Sequence, residues 1–256
     1  MEGGPLREQW WIEMAKERFV PYLNISSRLP STPDPNLLQT MGGRGFPYFV
    51  ILDPDGERVV PGKAYPQFRP MNAAGTEAAL SGVVELIRAR VRAEREPDSP
   101  ALAANRKLLE RLLIDGKVSD IAAEAATKVE GVDPILAQRF RAQEVIVRYT
   151  FSVRPLERDD QEGRRAAFES AAREMLELHR SGPSLLDPSL RIFSDYCRLV
   201  FTGALLAGDV AVAEKTLGEY RRRFGSTGQM RERIDRMQLD LESLKKRLAE
   251  SEDSEG

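Results

Sequence analysis

Along most of this chain, apolar side chains recur at steps of three and four residues, the spacing of a helix that buries one face and wets the other. Gly75 and Thr76 precede the first long example, in which Leu80, Val83, Val84, Ile87 and Val91 form a stripe running to about Glu94. Further helices are expected at about Leu102 to Ile114, Ser119 to Val129, Pro134 to Tyr149, Glu162 to His179, Pro188 to Leu206, Val210 to Phe224 and Gln229 to Ala249. Gly208 breaks one of them and Asp209 caps the next, whose inward positions are Val210, Ala213, Leu217, Tyr220 and Phe224. An earlier stretch, LLIDGKVSDIAAEAATKV, repeats the plan of helix, Gly116 turn and helix, but no fixed period links the two. The last helix carries Met230, Ile234, Met237, Leu241, Leu244 and Leu248 as a heptad seam. That seam can join two copies as a homodimer through residues 229–249, or lie against the preceding hairpins; its short length favours the second. The acidic end, SEDSEG, is expected to fray.

Before about residue 75 the pattern differs, with Gly and Pro concentrated there. A helix is expected over Leu6 to Arg18, with Trp10, Met14 and Trp11 inward, and a strand over Phe19 to Ser26. Asp34 and Pro35 open a short helix with Leu37, Leu38 and Met41 inward, and glycines 42 and 43 end it. The run FPYFVILDPDGERVVPG reads as two strands joined through Asp53, Pro54, Asp55 and Gly56. Its PYFVIL portion is apolar on both faces, as in a strand covered by helices on both sides. REPDSP, residues 95–100, sets two prolines among charges and marks a domain boundary. The expected fold class is therefore α/β plus all-α: an α/β domain over residues 1–96, then an α-helical hairpin domain over 97–256 with a C-terminal amphipathic helix.

Composition narrows the chemistry. Lys plus Arg number 38 against 40 for Asp plus Glu, so the net charge of -2 provides no basic excess to track a phosphate backbone. No nucleic-acid partner is expected. No apolar run approaches the ~20 residues of a membrane span, and the first residues lack a secretion signal, so no membrane partner and a cytoplasmic location are expected for the chain as given. With one cysteine, Cys197, and one histidine, His179, the chain can build no internal disulfide and no Cys-rich zinc site.

Residues 42–59, GGRGFPYFVILDPDGERV, resemble the second half of a thioredoxin-like domain, a likeness that extends over about residues 6–95 in its order of elements. The resemblance implies an incomplete thioredoxin-like domain with a cis-proline at Pro47. It also implies an extended peptide bound beside Gly45, Phe46 and Pro47, a contact to which an exposed Trp11 indole would add. The departures are as informative: MEGGPLREQW stands where the family carries C-x-x-C, and the family's preceding central strand is missing. A redox-inactive domain follows from the resemblance, unless a C-x-x-C segment encoded upstream of Met1 makes a longer thiol-disulfide oxidoreductase, periplasmic or otherwise exported. Separately, RIFSDYCRLVFTGALLAGDVAVAEKTLGEYRRRFG resembles one tetratricopeptide-type helical hairpin, although Phe201 stands where that family wants a small residue.

The remaining constellations favour structure over chemistry. Cys197 sits among Ile192, Phe193, Leu199 and Val200 as a small hydrophobe. His179 ends a helix beside Arg180, where a helix carboxyl end accounts for it, and no nucleophile is paired with it. Asp53, Asp55 and Glu57 open like a calcium loop, but Ala64 stands where the bidentate glutamate belongs. Arg221, Arg222 and Arg223 with Arg231, Arg233 and Arg236 are interleaved with acids at ion-pairing distances and read as a solvated face. No catalytic residue, metal ligand or cofactor is nominated; the expected function is a non-catalytic module that binds a protein or peptide partner.

Overall fold

Among the described residues, five helices begin with a side-chain oxygen turned onto one of the backbone N–H groups that a helix start leaves unbonded. Ser99 accepts from Leu102, Ser119 from Ala122, Asp133 from Ile135, Asp160 from Gly163 and Asp209 from Val212, and Pro100 and Pro134 occupy first-turn positions where no donor is needed. The computed structural model of the protein describes residues 9, 12, 13, 16, 36–43, 50–53, 55, 56, 58, 59, 73–114, 118–188, 190–225 and 228–255. Among these residues the named elements are α1 (Leu37–Thr40), α2 (Ala73–Arg95), α3 (Pro100–Leu113), α4 (Asp120–Ala126), α5 (Pro134–Val153), α6 (Gln161–Ser181), α7 (Phe193–Ala207), α8 (Val210–Phe224) and α9 (Gly228–Glu255).

The helices form a linear stack. α2 packs on α3, α3 on α4 and α5, α5 on α6, α6 on α7, α7 on α8 and α8 on α9. α5 also meets α7, and α7 meets α9, so alternate helices share a layer, as in helical-hairpin arrays where each unit contacts only its neighbours. Two apolar clusters run through the stack. One joins Val83 and Leu86 of α2 to Leu108 and Leu109 of α3 and Phe140 of α5; the other runs from Ala142 and Val145 of α5 through α6, α7 and α8 to Leu241 of α9. α5 belongs to both. Gln138, 2% exposed on α5, ties the stack at this point by donating its amide to the Leu178 carbonyl near the end of α6. α6 and α7 approach closely at Gly203, where a β-carbon would stand 2.3 Å from the Ala172 carbonyl oxygen.

The α/β expectation for residues 1–96, and with it the thioredoxin-like resemblance, is overturned. Among the described residues there is no strand; the run read as a two-stranded hairpin contributes one isolated antiparallel bridge, Leu52 with Arg58. The turn itself is as expected, with Gly56 at φ +81 and the Asp55 N–H donating to Asp53 Oδ1 at 3.1 Å. What differs is the partner. Val59 is fully buried and Ile51 packs beside it in the cluster built by α2, α3 and α5, so these two residues clasp helices, while Val50 and Leu52 stay exposed. Arg90 of α2 fixes the clasp, donating to the Val59 carbonyl at 3.3 Å and pairing with Glu110 of α3 at 3.2 Å. The REPDSP break is a turn between α2 and α3, and the buried residues on its two sides share that same cluster. The corrected fold class is all-helical among the described residues.

Helix positions elsewhere follow the apolar spacing closely. Two helices depart from it: α7 starts at Phe193 instead of Pro188, because the Leu190 N–H turns back to the Asp187 carbonyl at 3.1 Å while Leu185 drops into the core, and α9 continues to Glu255 instead of ending at about Ala249, through the acidic segment expected to fray. The terminal seam is occupied by the chain itself: Ile234, Met237, Leu241 and Leu244 are buried against the preceding helices. No described helix is long and apolar enough to cross a membrane.

Candidate functional site

The expected peptide-binding residues Trp11, Gly45, Phe46 and Pro47 lie outside the described residues. The other singled-out groups are drawn into packing. Cys197 has no exposed surface, and burial, with a smaller contribution from Glu219, pushes its thiol above the ordinary range; it carries negligible thiolate at neutral pH. His179 Nδ1 lies 2.7 Å from the Tyr196 hydroxyl, which also accepts the Leu185 N–H at 3.4 Å. Burial pushes Tyr196 up to about 12 and, reinforced by Lys215, holds His179 below the usual imidazole range. A neutral ring accepting the tyrosine proton satisfies that pair. Arg221 donates to Gln238 and Arg233 to the Tyr220 hydroxyl, joining α8 to α9, while Arg222 donates to Glu219 within α8. Among the described residues no group of three His, Cys, Asp or Glu side chains could hold a metal.

Open space lies at the other end of the stack. A cleft of about 420 Å³ separates α2, α3 and the start of α5. Its floor is apolar, built from Val84, Ala89, Leu102, Leu109 and Leu136. Its rim carries two acids and two arginines, and they differ in how they are engaged. Glu85 is held by Arg139 Nη1, 2.9 Å from each of its oxygens. Asp133 Oδ1 accepts the Ile135 N–H at 2.8 Å, where the positive end of the α5 dipole offsets its charge, and the Asp133 N–H donates to Asn105 at 2.9 Å. Arg88 and Arg92, by contrast, stand exposed one turn apart on α2, and neither hydrogen-bonds nor pairs with another described side chain. The acids of the rim are thus satisfied internally while its two guanidinium groups remain available.

No family model, curated protein or solved structure matches this chain. The thioredoxin-like and tetratricopeptide-type resemblances therefore gain no relative, and function must be argued from the cleft. Sequence reasoning placed Val84 and Val91 in one buried stripe and passed over the arginines. Of that stripe Val83 is in the core as expected, joined there by Leu86, whereas Val84 lines the cleft and Val91 is exposed. The available signal was the Arg88 and Arg92 spacing beside a widened apolar face, which no partner helix of known position could interpret.

Proposed function

We propose that this chain is a non-catalytic protein-interaction module, a helical scaffold that seats a polypeptide partner in the cleft between α2, α3 and α5. The observation that carries the reading is the contrast in that rim: an apolar floor with guanidinium groups left unspent, in a molecule whose thiol and imidazole are consumed by packing. Apolar anchoring with polar groups at the edge is how helical surfaces commonly hold peptides. The test is site-specific photo-crosslinking of the full chain in its own cells, with benzoylphenylalanine at Arg92 on the rim or at Ile121, an exposed position on α4. A polypeptide adduct from Arg92 and none from Ile121 is the expected result. Equal labelling at both, or none at Arg92, overturns the cleft as the seat.

A further inference from the structure

The walls of the cleft limit what can lie in it. Its lining residues on α2 run from Ser81 through Val84 and Arg88 to Arg92, one helix face about 16 Å long, or three turns. Leu102 and Leu109 of α3 and Leu136 of α5 line the remainder. Every wall is helical, and among the described residues there is no strand. An extended peptide would therefore find no ladder, and its backbone groups would lie on apolar side chains without partners. A helix satisfies its own backbone, and three turns of groove take about three turns of helix. The rim then sets the sign of charge. Arg88 and Arg92 are exposed one turn apart, and neither pairs with a described side chain, although Glu85 precedes Arg88 by three residues and Glu96 follows Arg92 by four. Glu85 is bound by Arg139 instead, at 2.9 Å, and Asn105 has turned its carbonyl to the Asp133 N–H. Arg95, also exposed, continues the basic row toward the end of α2.

We infer that the occupant of the cleft is an acidic amphipathic helix of another protein, with one apolar ridge and two Asp or Glu side chains a turn apart beside it. This rests on the cleft being a polypeptide seat, and it names the chemistry of the partner. Carboxylates four residues apart on that helix repeat the ~6 Å step between the two arginines, so each guanidinium group can take one acid in a bidentate pair. The apolar floor supplies contact area for any amphipathic helix; the arginines select among them, because a basic helix in the same groove would set like charges face to face. Glu85 and Asp133 do not repel the arriving acids at full strength, because Arg139 and the α5 amino end already offset them.

The experiment pans a displayed library of alanine-based helices of about 16 residues, randomised along one face, over the immobilised full chain. Peptides recovered on the wild type are expected to combine Leu, Ile, Met or Phe with two or more acids at helical spacing, and those recovered on R88E/R92E to carry Lys or Arg in the same places. In fluorescence anisotropy a synthetic acidic binder should lose about tenfold or more in affinity for R88E/R92E, and should bind the wild type less tightly at about 0.5 M salt than at about 0.05 M. Unchanged far-ultraviolet circular dichroism checks that the variants are folded. Recovery on the wild type without acid bias, or equal binding of the acidic peptide by R88E/R92E, overturns the inference. So does a wild type that alone sediments above its 28.7 kDa monomer mass in the same concentration range and loses that association in R88E/R92E, because the cleft then seats a second copy. V84Q/L102Q separates this from failure of the broader reading, since it makes the floor polar without changing charge, and neither residue belongs to a buried cluster. Non-acidic peptides that lose affinity for V84Q/L102Q keep the seat and remove the acidic partner; peptides that bind this variant undiminished, or no recovered peptide at all, remove both.

Discussion

Two glycines inside helices provide a sharp test of the packing. Gly203 of α7 and Gly218 of α8 would each gain about 1 kcal/mol of helix stability on replacement by Ala, because glycine has more backbone freedom to lose. Their surroundings are opposite. A β-carbon at Gly218 meets nothing within 4 Å, whereas one at Gly203 stands 2.3 Å from the Ala172 carbonyl oxygen and 2.8 Å from Leu176 Cβ. Ordinary contact begins at 3.4 Å, so α6 and α7 must part by about 1 Å, and a gap of that size forfeits roughly a quarter to a half of each dispersion contact across the seam. That seam includes Met175 and Leu176 on one side and Val200 and Ala204 on the other, all 2% exposed or less. The cost lies at the upper end of overpacking, about 3 kcal/mol or slightly more, leaving a net loss of roughly 2–3 kcal/mol for Gly203→Ala against a gain of about 1 for Gly218→Ala.

Urea titration followed by circular dichroism reads both values. In melting temperature the pair should separate in opposite directions, by roughly 2–4 °C for each kcal/mol in a chain of this size. Trimming Leu176 to Ala does not rescue Gly203→Ala, because the nearest obstacle is backbone and cannot rotate away. If Gly203→Ala is neutral or stabilising, the close approach of α6 and α7 is wrong, and with it the order in which the helices stack.

Other consequences are open to direct measurement. Cys197 should react with a disulfide reagent only as fast as the fold opens, so its labelling rate should rise with urea in step with unfolding; prompt labelling of the native chain would contradict its burial. His179 titrates below its ordinary 6.5 in the folded chain, so its contribution to stability is present above about pH 6.5 and is lost as pH falls toward the lower folded value. His179→Phe should flatten the stability profile in that window, and an unchanged slope would place the titrating group elsewhere. Gln138→Ala removes one of two donors to the Leu178 carbonyl, which keeps the Ser181 hydroxyl at 3.3 Å, at a cost of about 0.5–1.5 kcal/mol in urea denaturation, and a neutral result would show that the amide adds nothing net where α5 meets α6.

The helices were legible because their signals are local. Asp209 with its cap on Val212, Ser119 on Ala122 and Pro134 in the first turn of α5 need no distant partner to act. Residues 50–59 show the opposite case. An apolar run suits any dry surface, and it becomes a strand only if neighbouring strands offer a ladder. Here Val59 and Ile51 find α2 and α3 instead, so the Asp-Gly turn was readable while its context was not. The cleft was hidden for a related reason. On the sequence alone Arg88 and Arg92 are a solvated helix face; only α3 and the start of α5, with Leu102 and Leu136, turn that face into one wall of a groove.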